Sequence, residues 1–76
     1  MKELMVILNE LRPEVDFSTE TNLLDGGILD SFDMVSLIGD INDTFEVELT
    51  FDDIDADNFN SAEAMWSMIE RLKSEG

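Results

Sequence analysis

The sequence predicts an all-α domain: a bundle of four helices, three long and one short, with a long ordered loop between the first two. Three segments place apolar residues at helical spacing. The stretch between the first two, Glu14 to Leu29, holds six apolar side chains, too many for a free linker. Strand signal is confined to Phe45-Glu46-Val47-Glu48-Leu49, and a lone strand leaves its backbone unpaired. Seventy-six residues allow one domain, spanning 1–76.

The first helix is expected over Lys2 to Leu11. Leu4, Ile7, Leu8 and Leu11 form one stripe at i, i+3, i+4, i+7. Pro13 disfavours helical geometry at Arg12 and ends it. Val15, Phe17, Leu23, Leu24, Ile28 and Leu29 then pin the long loop over the bundle, and Gly26-Gly27 supplies a turn. The second helix follows Asp30-Ser31, with Met34, Leu37, Ile38, Ile41 and Phe45 in a sector of about 100°. The alternating run Phe45 to Leu49 reads as the end of this helix and a loop. Thr50 and Phe51-Asp52-Asp53-Ile54 read as the short helical member. The last helix carries Met65, Met68, Ile69 and Leu72. Asn60 and Glu63 resemble a capping box at its start, with Ser61 as the competing cap.

Composition narrows the function. The chain has no histidine and no cysteine, which removes Ser-His-Asp and Cys-His catalysis, imidazole acid–base chemistry and the usual zinc ligands. No catalytic role is expected. Nineteen acidic residues face four basic ones, for a net charge of −15. Such a field repels phosphate backbones and anionic lipid, so neither nucleic acid nor membrane insertion is expected. It attracts basic protein surfaces. A hydrophobic share of 43% argues against disorder. The apolar run Leu4 to Leu8 is too short for a signal or a membrane span, so a cytoplasmic monomer is expected.

Three features are candidate sites. Ser31 sits at the start of the second helix, where the ordinary role of a serine is to cap the backbone. The same position suits a phosphate ester, because a helix N-terminus presents free N–H groups and a positive dipole end. Asp53, Asp55 and Asp57 have the oxygen spacing of a calcium loop. Asn58 stands where that loop needs Gly, and Ala64 where it needs the bidentate Glu, so a solvated acidic loop is the better reading. The third is the polar face of the second helix. Asp33, Ser36, Asp40 and Asp43 form an acidic stripe flanked by Phe32 and Gly39. Phe32 and Val35 add apolar contact, so Phe32, Asp33, Val35, Asp40 and Asp43 make a candidate partner-binding surface.

The stretch from Leu23 through Asp25-Gly26-Gly27 and Leu29-Asp30-Ser31-Phe32 to Ile38 resembles the phosphopantetheine attachment region of acyl carrier proteins. The resemblance continues through Phe45, Glu46, Glu48 and Leu49 and through Asn60-Ser61-Ala62-Glu63-Ala64. It implies an acyl-carrier-like bundle with covalent 4′-phosphopantetheine on Ser31. A separate, magnesium-dependent phosphopantetheinyl transferase would supply it from coenzyme A. The arm's thiol would then hold cargo as a thioester. Implied partners are an acyl- or aminoacyl-loading ligase and downstream transferases with basic docking patches. Carriers of fatty-acid synthesis usually have Leu after the modified Ser, and here it is Phe32. That departure looks more like the D-alanyl carriers of teichoic acid synthesis. Peptide-synthetase and polyketide carriers share similar features, and an acidic calcium-binding or protein-interaction module is the alternative.

Overall fold

The computed structural model describes residues 1–75, apart from the side chains of Phe51 and Glu75. Its elements are α1 (Lys2–Leu11), α2 (Ser31–Phe45), a 3-10 turn (Phe51–Asp53), α3 (Ala56–Phe59) and α4 (Ala62–Glu75). There is no strand among the described residues. The all-α bundle with three long helices and one short one is as expected from the sequence.

Helix α1 has the expected bounds. Arg12 leaves the helix at φ −139°, ψ 82°, the extended geometry that a following proline imposes. Leu4, Ile7 and Leu8 are buried and Leu11 is half-buried. The long loop is held as the sequence implies: Phe17, Leu23 and Leu29 are buried, with Val15, Leu24 and Ile28 packed against the core. Both glycines of its turn are needed, for different reasons. Gly27 has φ +74°, and a Cβ on Gly26 would lie 2.5 Å from the Asn22 carbonyl oxygen.

Helix α2 corrects the capping role considered for Ser31. The cap is Asp30, whose carboxylate accepts from the Asp33 N–H at 2.8 Å. The Asp33 carboxylate accepts in return from the Asp30 N–H at 3.2 Å. This reciprocal box leaves Ser31 as the first helical residue. At the far end Glu46 closes the helix in the left-handed conformation, φ 54° and ψ 45°. The segment beyond is irregular and has no pairing strand among the described residues. It lays Val47 and Leu49 against the core while Glu48 faces solvent, which explains the alternation. The Asn42 side chain accepts from the Leu49 N–H at 3.0 Å and holds that segment down.

The short helical turn expected around residues 50–54 is present, and a further short helix follows it. Phe51–Asp53 is a 3-10 turn, and the short α-helix is Ala56–Phe59. Asp55 caps α3 by accepting from the Asn58 N–H at 2.9 Å, and Phe59 is buried completely. The start of α4 needs a second correction. Ser61, not Asn60, is its cap, accepting from the Ala64 N–H at 3.0 Å. Asn60 is turned to the long loop instead. Met65, Met68 and Ile69 of α4 meet Leu37 and Ile41 of α2 in one core. Phe45 and Trp66 pack edge to face at 5.7 Å, closing the end of the bundle remote from Ser31.

Candidate functional site

Ser31 is exposed, and because two carboxylates close the cap its hydroxyl has no part in that cap. It projects where the first N–H groups of a fifteen-residue helix are aligned, at the positive end of the helix dipole. Arg12 braces this corner from the end of α1. Its guanidinium donates to Asp33 at 2.6 Å and 2.8 Å, and approaches Glu14 at 3.2 Å and Asp30 at 3.5 Å. Hydrogen bonding from Arg12 holds the Asp33 carboxyl below its ordinary value of 3.8, against the opposing effect of partial burial.

That depressed value has a stability consequence. Asp33 gains its partner on folding, so its contribution is complete above the ordinary carboxylate range. It is lost as pH falls through the lowered folded value. The melting-temperature gap between the parent and an Asp33→Asn variant is therefore expected at neutral pH and should close in strong acid. A gap that stays constant down to that range contradicts the Arg12–Asp33 assignment.

Beside Ser31 runs an open groove of about 600 Å³. Leu24, Gly27 and Leu29 of the loop form one wall, and Met34, Val35 and Ile38 of α2 the other. Ile54 also lines it, and Asp30 and Ser31 stand at its rim. The outer face of α2 is partly as expected. Phe32 and Val35 are 85% and 72% exposed, and Asp40 and Asp43 are exposed beside them. Asp33 differs, since its side chain is only 12% exposed and is already held by Arg12 and the cap. Of the calcium-spaced acids, Asp53 accepts from the Thr50 N–H and hydroxyl, while Asp55 caps α3.

Sequence reasoning missed Arg12, the groove and Asn60. Arg12 was the most findable, as one of four basic residues in the chain, placed within two residues of Glu14.

Compared with known families, residues 3–66 match the model described as "Phosphopantetheine attachment site". The chain belongs to this family. Phosphopantetheine-attachment domains carry a covalent 4′-phosphopantetheine and work as carriers, served by a phosphopantetheinyl transferase and by pathway enzymes. Neither the curated proteins nor the solved structures contain a match to this chain. The residues present fit the family's group: an uncommitted hydroxyl stands at a helix N-terminus, where a phosphate is electrostatically favoured, and an apolar groove opens beside it. No helix among the described residues is long and apolar enough to cross a membrane.

Proposed function

We propose that Ser31 is the attachment residue and that the chain is an acyl or aminoacyl carrier. The observation that carries this reading is the exposed Ser31 hydroxyl, released from capping by Asp30 and Asp33 at the mouth of the groove. Attachment joins Ser31 Oγ to the phosphate of the pantetheine half of coenzyme A. The nucleotide half leaves, and the serine proton passes to the transferase. The chain's own part is to present the nucleophile. The Asp30–Asp33 box fixes the helix end, and the aligned N–H groups favour the phosphodiester. When attached, the arm supplies a terminal thiol that holds cargo as a thioester. Peptide mapping of the modified protein tests the reading, which expects the added mass on the peptide containing Ser31.

Phe32 after the modified serine favours an aminoacyl cargo, as in D-alanyl carriers, over a growing fatty chain; polyketide and peptide-synthetase pathways are the other candidates. Intact mass of the loaded protein isolated from its own cell separates an aminoacyl cargo from a fatty-acyl one. An amino-acid-sized increment on the arm supports the first, and an alkyl-chain increment overturns it.

Partner enzymes dock on α2 through Phe32 and Val35, with Asp40 and Asp43 steering basic patches toward them. Exposed rim charges act mainly on association rate and are screened by salt. An Asp40→Asn/Asp43→Asn variant should be modified more slowly than the parent at low salt, with the difference shrinking near 1 M salt. Equal rates at low salt place the docking face elsewhere. The sequence pattern groups Asp33 with these acids, but its ion pair makes it a support of the helix end instead.

A further inference from the structure

We infer that Asn60 is a positioning residue for the reaction at Ser31, acting through the loop that forms one wall of the groove. The inference rests on Ser31 being the attachment residue. Asn60 lies between α3 and the cap of α4, yet all its side-chain hydrogen bonds go to the loop before α2, some 35 residues away in sequence. Its Oδ1 accepts from the Leu24 N–H at 3.1 Å and the Asp25 N–H at 3.0 Å. Its Nδ2 donates to the Asp25 carboxylate at 3.0 Å. Its carbonyl oxygen accepts from the Leu23 N–H at 2.9 Å. One residue thus satisfies three successive backbone donors and one side chain.

The chemistry of the clamp is specific to an amide. Two N–H donors need an acceptor, and a carboxylate needs a donor; Asn offers both from one side chain. The flipped amide would set its NH2 group against two backbone N–H groups. Residues that can only accept or only donate leave one side unmet.

The clamp lies upstream of Ser31 in a short chain of contacts. Leu23 is buried, and its carbonyl accepts from the Leu29 N–H at 3.0 Å, closing the loop just before the Asp30 cap. Leu24 and Leu29 are groove wall. Holding residues 23–25 therefore fixes both the groove and the approach to the α2 cap. The capping box keeps Ser31 at the helix start, while Asn60 sets the surface that surrounds it. Nothing in this arrangement touches the reacting atoms, so the effect is on how much of the protein is ready to be modified.

If the loop is released, only a fraction of molecules present the arranged surface, and apparent affinity falls by that fraction. For Asn60→Ala the expected result is a KM for the carrier raised about three- to tenfold in transferase kinetics, with kcat within about twofold of the parent. Amide hydrogen exchange at Leu23, Leu24 and Asp25 should speed up, while exchange in the centres of α1, α2 and α4 stays slow. Asn60→Asp keeps the acceptor but sets a carboxylate against Asp25, and should show the same defect. The double variant Asn60→Asp/Asp25→Asn restores one donor and one carboxylate across the contact and should recover both the parent KM and the slow exchange. A purely structural role would lower the melting temperature without a KM defect in folded protein and without rescue by the exchange. Unchanged exchange in Asn60→Ala overturns the clamp itself. Faster exchange with an unchanged KM, or a double variant that fails to recover, overturns its role at Ser31. A parent that takes up no mass overturns the carrier reading, an outcome the exchange measurement separates from failure of the clamp.

Discussion

Incubated with coenzyme A, magnesium and a phosphopantetheinyl transferase, the parent protein should gain the mass of one phosphopantetheine, and Ser31→Ala should gain none. The other serines are poorer nucleophile positions for identifiable reasons. Ser18 donates its hydroxyl to Asp16 at 2.5 Å, and Ser61 is engaged in capping α4. Ser36 lies inside α2, and Ser67 and Ser74 lie inside α4, away from any helix N-terminus. Loss of modification should come without loss of fold. Removing a capping serine costs about 0.5–2 kcal/mol, but here Asp30 is the cap and the first helical position tolerates Ala well. The stability change should stay within about 0.5 kcal/mol, as for an ordinary surface substitution. A mass gain on Ser31→Ala, or none on the parent with several transferases, removes Ser31 as the attachment residue.

The free hydroxyl of Ser31 also shows where sequence reading reaches its limit. Asp-Ser before an apolar stripe announced a helix start, and the stripe itself placed Leu37 and Ile41 in the core. Which of the two residues caps depends on Asp33 returning a hydrogen bond to Asp30, and on Arg12 holding that carboxylate in place. Arg12 and Asp33 are 21 positions apart, so no local pattern joins them. The long loop was legible because its apolar residues had to be buried somewhere. Its partner was not, because Asn60 looked like a cap for the helix beside it, and a side chain that can bond either locally or across the fold carries no mark of which. Helix α3 was hidden for another reason: four residues cannot show a period, and its cap, Asp55, sits among acids that read as a solvated loop.

Phe59→Ala should be the most destabilising of the substitutions considered. The side chain is completely buried, on a helix of only four residues, and it is the single buried residue of α3. Truncating a buried Phe removes apolar burial and leaves a cavity, at a cost of about 3–5 kcal/mol. A 76-residue domain has about 4–11 kcal/mol in all, and repulsion among 15 uncompensated negative charges pushes this one toward the lower end. The substitution should therefore consume much or most of the stability. With an m-value of about 1 kcal/mol/M, the urea midpoint should fall by about 3 M or more, followed by far-ultraviolet dichroism and the fluorescence of Trp66. Added salt should recover part of the loss by screening the acidic surface. The effect also reaches the site, because Phe59 immediately precedes Asn60 and anchors the segment from which Asn60 holds the loop. Under conditions where the variant remains folded, faster amide exchange at Leu24 and Asp25 should accompany the lower midpoint. A cost below about 1 kcal/mol would mean that the site collapses around the smaller side chain, and that α3 is not what holds this end of the bundle together.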